Sequence, residues 1–211
     1  MDTLIIEKKN EVYITVDCDP NIQREISEFF TFYVPGYKFM PAFRNRMWDG
    51  KIRLYSQKTK EIYFGLFPYI RAFAEERGYQ IVSGEDVEIN NKVDKEIVKK
   101  FSNSLGQKFE ARDYQIDAIY HSLKFNRALL LSPTASGKSF IIYSLIRYYS
   151  HLIKDTPNNR ILLIVPTTSL VEQMYSDFQS YGWNVKKNCH RLYSGYSNQT
   201  DKKVLISTWQ S

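Results

Sequence analysis

Residues 129–140, LLLSPTASGKSF, run from an apolar stretch through small residues to Gly137-Lys138-Ser139. An apolar strand entering such a turn, with a helix leaving it, gathers backbone N–H groups at the positive end of that helix and forms a cradle for anions. In such a cradle Lys138 reaches the β- and γ-phosphates of ATP and the Ser139 hydroxyl ligates Mg²⁺. Thr134, Ala135, Ser136, Gly137, Lys138, Ser139 and Phe140 are therefore the candidate cofactor-binding run, with Lys138 and Ser139 as the catalytic pair. The run departs from G-x-x-x-x-G-K-[ST] at one place, where Ser132 stands for the first glycine.

Upstream, RDYQIDAI supplies Arg112, Tyr114 and Gln115. A planar ring or guanidinium stacks on adenine, and a glutamine amide donates to and accepts from its edge at once, so these three are candidates for selecting ATP. A second chemistry is written in charge. Residues 38–60 hold Lys38, Arg44, Arg46, Lys51, Arg53, Lys58 and Lys60 against Asp49 alone. Cations interleaved with an aromatic suit a nucleic-acid surface, the cations on phosphates and Trp48 on an unpaired base, so Arg44, Arg46, Trp48, Lys51 and Arg53 are candidate DNA contacts. Asp49-Gly50 is also a hairpin turn signal, and Trp48 reads equally well as a buried anchor. Phe29, Phe30, Phe32 and Phe73 read as core, and His121, His151 and His190 have no partners at catalytic or metal spacing.

These groups need positioning by two different kinds of element. The first half reads as a small α+β domain over residues 1–83: strands TLIIEKK and EVYITVD, a helix opened by Asp19-Pro20, strands KIRLYS and EIYFG, and a helix stopped by Gly78. Residues 84–105 read as a linker with a short helix from Asp94 to Phe101, either a flexible tether or packed on a neighbour. Residues 106–211 alternate differently: helix 113–124, strand 127–132, helix 138–152, strand 160–165, helix 168–181 and strand 203–207. Strands separated by helices imply right-handed crossovers and a parallel sheet, and ILLIV is apolar enough to be buried on both faces. The fold class is α/β, the small α+β domain preceding a phosphate-loop domain with a parallel sheet.

Composition narrows the rest. The net charge of +6 lies wholly in residues 106–211, where 13 Lys/Arg meet 7 Asp/Glu, while the first 105 residues balance 16 against 16. No stretch is apolar enough to span a membrane and the first residues are charged, so a cytoplasmic protein with no membrane partner is expected. Cys18 and Cys189 stand apart in sequence, as free thiols in a reducing compartment would.

RDYQIDAI, PTASGKS, VPTTSLVEQ and STWQS, in that order over residues 110–211, resemble the Q motif, motif I, motif Ia and the Thr-Trp-Gln element of superfamily 2 helicases, in which serine often replaces the first loop glycine. GYKFMPAFRNRMWDGKIRLY followed by FGLFPYIRAFAEERGY resembles the N-terminal domain of UvsW-type phage helicases, which remodel branched DNA in recombination and repair. The resemblance implies a RecA-like motor lobe, ATP and Mg²⁺ as cofactors, a monomeric motor, and branched, forked or single-stranded DNA as partner. Carried onto matching positions, it implies that Pro166, Thr167, Thr168, Thr208 and Trp209 meet the sugar-phosphate backbone. Pro-Thr-Thr also suffices as a helix cap, and Trp209 also reads as core.

Phosphoryl transfer needs an acidic pair for metal and water, and arginines on the developing charge. No Asp-Glu pair of the DExH kind occurs in these 211 residues. The expectation is thus the front portion of a helicase, its RecA-like lobe incomplete, its sheet leaving apolar surface uncovered, and hydrolysis by these residues alone negligible. The alternative is a non-enzymatic module that binds branched DNA and keeps a vestigial nucleotide loop.

Overall fold

The computed structural model describes residues 2–87, 91–197 and 199–211, arranged as two compact units, Met1–Ile89 and Asn90–Ser211.

In the first unit β1 (Thr3–Lys8) and β2 (Tyr13–Asp17) pair antiparallel, turned where the Asn10 side chain accepts from the Val12 and Tyr13 amides at 2.8 Å. Their period-two pattern buries Leu4, Ile6, Ile14 and Val16 completely and leaves Ile5 half-exposed. Asp19 caps α1 (Pro20–Phe29) by accepting from the Asn21 amide, and Ile22 and Ile26 face inward. A two-stranded ribbon follows, β3 (Thr31–Tyr33) with β4 (Lys51–Arg53), and the chain between them folds a 3-10 turn (Tyr37–Phe39) and a short α-helix, α2 (Pro41–Arg44). Then come β5 (Tyr55–Ser56), β6 (Glu61–Tyr63), α3 (Phe67–Arg77) and β7 (Gln80–Ser83), completing a sheet of order β5-β6-β2-β1-β7 in which β7 runs parallel to β1. Phe30 and Phe73 are core, as expected. Phe29 and Phe32 are not, each remaining close to half exposed.

The second unit begins with α4 (Lys95–Asn103), where Asp94 accepts from the Glu96 and Ile97 amides. This helix lies within the stretch 84–105 expected to link the domains, and it sends Val98 into the second unit's core. Next are α5 (Asp113–Phe125), α6 (Lys138–Leu152), β8 (Ile161–Val165), α7 (Thr168–Ser180), α8 (Val185–Asn188), β9 (Cys189–Leu192) and β10 (Val204–Thr208). The sheet is parallel, order β8-β10-β9, and β9 is a strand that the sequence pattern does not signal. The expected strand at 127–132 joins no sheet among the described residues, and Leu129 and Leu131 stand 85% and 89% exposed. A strand exists only through its hydrogen-bonded neighbour, and none flanks this segment. For the same reason ILLIV is covered on one face only, with Leu162 and Ile164 more than half exposed.

Among the described residues no helix is long and apolar enough to cross a membrane, and no cluster of His, Cys, Asp and Glu could hold a metal ion. Burial pushes the Cys189 thiol up to about 12, and burial with Asp17 and Asp19 pushes Cys18 up to about 11. Both are therefore protonated at neutral pH and poor nucleophiles. Iodoacetamide at pH 8 is expected to label buried Cys189 at roughly a hundredth of its rate in denaturant. Equal rates with and without denaturant would contradict its burial.

Candidate functional site

The phosphate loop is closed by contacts from α5, 21 residues upstream in sequence. Gln115, 5% exposed, caps its own helix by accepting from the Arg112 amide at 3.0 Å, and its Nε2 donates to the Ser136 carbonyl at 3.0 Å. The Tyr114 hydroxyl donates to the same carbonyl at 3.0 Å and accepts from Arg112 Nη1 at 2.9 Å. Thus the three residues expected to read adenine are brought together, and two of them grip the loop. Within the loop the Ser132 and Ser136 hydroxyls are hydrogen-bonded to each other, so Ser132 does work that a glycine could not.

Gly137 turns the chain into α6 at φ +79°, and Lys138 and Ser139 open that helix. Lys138 Nζ donates to the Pro133 carbonyl at 2.7 Å and to the Ser132 carbonyl at 3.3 Å. An ammonium bound to two neutral carbonyls is available to a stronger, anionic acceptor. Thr134 and Ala135 are exposed on the loop, and Ala135 adopts a left-handed φ of +63°. Phe140 belongs elsewhere. It is 1% exposed and packs against Phe109 and Tyr181, anchoring α6 rather than facing the loop.

A cavity of about 600 Å³ opens beside the loop, lined by Tyr114, Ala118, His121, Leu129–Ser136 and Ile141. Ala118 and His121 were not signalled as site residues, although Tyr114, Ala118 and His121 recur at i, i+4 and i+7 and so share one face of α5. The donor set fits a nucleoside triphosphate with Mg²⁺: an ammonium, a hydroxyl at the first turn of a fifteen-residue helix, and a left-handed glycine just before them.

At the carboxyl edge of the sheet Val165 pairs with Thr208, so Pro166–Thr168 and Trp209 leave adjacent strands side by side, where open α/β sheets bind ligands. Thr167 caps α7, accepting from the Leu170 amide at 3.3 Å, while Pro166 and Thr168 are exposed. Thr208 is 6% exposed and bonded to the Ser211 hydroxyl, so it positions the turn and offers no surface. Trp209 is not core: it is 69% exposed.

In the first unit the chain from 34 to 50 forms a folded excursion on the β3–β4 ribbon, closed by the Val34 amide on the Gly50 carbonyl at 2.9 Å. Tyr33 stacks on Tyr37 with ring centres 4.7 Å apart, Tyr37 meets Phe43 edge-on at 4.8 Å, and Lys51 lies 4.9 Å over the Tyr33 ring. A cavity of about 590 Å³ is lined by Lys38, Phe43, Arg44, Arg46, Met47, Trp48 and Asp49. Arg44, Arg46 and Trp48 thus converge on one cavity. Trp48 is half-buried with its indole N–H donated to the Lys51 carbonyl at 2.9 Å, an anchor whose ring edge still lines the cavity. Arg53 is tied to Asp49, and that contact holds the Asp49 carboxyl below its ordinary range. Arg44 and Arg46 carry no ion pair among the described residues.

Known proteins give this geometry a context. Residues 5–84 match the family described as the N-terminal domain of DNA helicase UvsW, and residues 108–211 match that of the res subunit of type III restriction enzymes. The ATP-dependent DNA helicase uvsW of Enterobacteria phage T4 is 34% identical over 208 residues, spanning 94% of this chain and 40% of the relative. A crystal structure of the UvsW helicase from bacteriophage T4 superimposes on the whole chain with a TM-score of 0.85 at 30% identity, over 76% of its own length. The chain belongs to the UvsW helicase family. A second T4 UvsW structure agrees at a TM-score of 0.86, the chain spanning 43% of it. In this UvsW-family chain the α5 contacts and the phosphate loop lie in the RecA-like unit, and the 34–50 excursion lies in the UvsW N-terminal domain.

Proposed function

We propose that the chain is part of an ATP-dependent DNA helicase that remodels branched DNA during recombination and repair as a monomeric motor. It works in the cytoplasm, that of the host cell where the chain is phage-encoded. Family membership supports the helicase reading, and the convergence of Tyr114 and Gln115 on the Ser136 carbonyl beside Lys138 carries it. That convergence ties Tyr114, which lines the cavity, and the buried Gln115 to the phosphate loop through one carbonyl.

ATP with Mg²⁺, once bound, supplies the phosphoanhydride whose cleavage drives movement. Lys138, whose present acceptors are two neutral carbonyls, would hold the phosphate oxygens, and Ser139 would offer its hydroxyl to the metal. Gln115 and Tyr114 hold the loop in the shape that receives them. Pro166, Thr167 and Trp209 in the second unit, and Arg44, Arg46, Trp48 and Lys51 in the first, address the DNA, the cations through phosphate and so without regard to sequence. Arg53 contributes by orienting Asp49 in the turn. No DExH acidic pair lies within these residues, so turnover by the 211-residue chain is proposed to be negligible while binding persists.

Calorimetric titration of the chain with ATP and Mg²⁺ tests this. Lys138→Ala is expected to weaken binding roughly 100-fold, the loss of charge-assisted bonds totalling about 3 kcal/mol. Binding of equal strength in the variant would sink the nucleotide reading. Robust DNA-stimulated phosphate release by the unsubstituted chain would sink the claim of negligible turnover.

A further inference from the structure

Phe39 and Met47 are the most exposed large apolar side chains described in the first unit, at 77% and 74%. Single exposed apolar residues are common, but the setting of these two is not ordinary. Both lie on the 34–50 excursion, whose aromatic side chains other than Phe39 are engaged, Tyr37 and Phe43 in the ring stack and Trp48 on the Lys51 carbonyl, while Met40 is exposed to a lesser degree at 38%. The backbone holds them outward. The Phe39 amide closes a tight turn on the Gly36 carbonyl at 2.9 Å. Met47 follows Arg46, a non-glycine residue at φ +57°, and its amide is fixed on the Ala42 carbonyl at 2.9 Å. Left-handed backbone at an arginine is kept only where the surroundings enforce it, and such positions gather at functional sites.

Lys38 adjoins Phe39, and Arg46 adjoins Met47, with Arg44 lining the same cavity as Met47. A ligand that answers this surface must be polyanionic and must also offer an apolar face. A regular duplex satisfies the first condition, since its phosphates are outside, and fails the second, since its base faces are stacked within. A branch point satisfies both, because stacking is interrupted where helices diverge, and apolar side chains beside cations are the means by which proteins occupy an unstacked step.

We propose that Phe39 and Met47 are the branch-sensing contacts of this chain, packing on bases left unstacked at a DNA junction while Arg44 and Arg46 hold the flanking phosphates. The inference rests on the reading of this face as a DNA surface and adds to it the discrimination of branched from linear DNA. Phe39 and Met47 supply the preference, and the arginines supply the affinity common to both forms.

The test uses the 211-residue chain with two probes of equal composition, a linear duplex and a three-way junction carrying 2-aminopurine at the branch, each titrated by fluorescence. A Phe39→Ala/Met47→Ala double variant is expected to lose about tenfold on the junction, the loss of one stacked base, and less than twofold on the duplex. The change in 2-aminopurine emission on binding should vanish with it. An Arg44→Ala/Arg46→Ala variant is expected to weaken both probes alike and to flatten the salt dependence. If the apolar variant keeps junction affinity, or loses junction and duplex equally, while the arginine variant weakens both, the branch-sensing role falls and the DNA surface stands. If the arginine variant binds both probes as tightly as the unsubstituted chain, the DNA surface lies elsewhere and both readings fall.

Discussion

Gly137→Ala is expected to weaken ATP binding at least as severely as loss of the loop lysine, and to destabilise the second unit as well. A Cβ at this position would stand 2.3 Å from Gln115 Nε2, and φ is +79°. The backbone alone costs about 1–2 kcal/mol for any L side chain. Gln115 is flexible at its end and can retreat, but retreat breaks its bond to the Ser136 carbonyl and disturbs the cap on the Arg112 amide. Each such bond is worth about 1 kcal/mol, and more when the partner is left buried and unpaired. The sum is about 3–5 kcal/mol, spent where Lys138 and Ser139 must be aimed. Titration calorimetry with Mg²⁺-ATP should therefore show a loss of roughly 100-fold or more. A double-mutant cycle separates the causes: with Gln115→Ala already in place, alanine at 137 should cost much less, because the obstructing amide is gone. Strict additivity would show that the amide is not what the new methyl group meets.

How much of this could be read from the chain itself varies with the range of the interactions involved. Asp19-Pro20 opening α1, Asp94 capping α4 and Gly78 ending α3 are local devices, and the structure has each as the residues imply. The turn and helix of the phosphate loop are legible because small residues ending in Gly-Lys-Ser need no distant partner to open α6, whereas the strand expected before them is absent from the described residues. The grip of Gln115 on Ser136 was not, since residue types name a glutamine's hydrogen-bonding capacity but not the carbonyl that will satisfy it. The four residues CHRL become β9 only by pairing with Val204–Ser207. LLL at 129–131 fails to become a strand for the converse reason. Phe29 keeps helical spacing with Ile22 and Ile26, yet it lies at the rim of the core, edge-on to Phe30 and with Arg77 over its ring, so periodicity alone overstates its burial. Met47 and Phe39 carry no signal in the sequence, since apolar residues generally point inward and only the fold shows which ones cannot.

Gly50→Ala is expected to dismantle the 34–50 excursion and with it the DNA affinity of the first unit. The new Cβ would lie 2.3 Å from Tyr37 Cδ2 and 2.8 Å from its Cγ, at φ +78°. Unlike the Gln115 amide, these atoms are the root of a ring clamped between Tyr33 and Phe43, so nothing yields without breaking both ring contacts. Left-handed backbone contributes about 1–2 kcal/mol, and overpacking against a fixed neighbour about 1–3 more. Gly36→Ala provides the comparison, for it shares a left-handed φ of +73° but meets nothing within 4 Å, and it should show the backbone part alone. Denaturant titration in a Trp183→Phe/Trp209→Phe background, followed through Trp48, whose indole is bonded to the strand leaving this turn, reads the excursion directly. The Gly50 variant should lose about 2–5 kcal/mol and the Gly36 variant about 1–2. DNA affinity should fall tenfold or more in the former, because Arg44, Arg46 and Met47 lose the frame that gathers them around one cavity. Equal destabilisation by the two substitutions would mean that Tyr37 is free to move, and that the aromatic stack does not hold the side chains around this cavity in place.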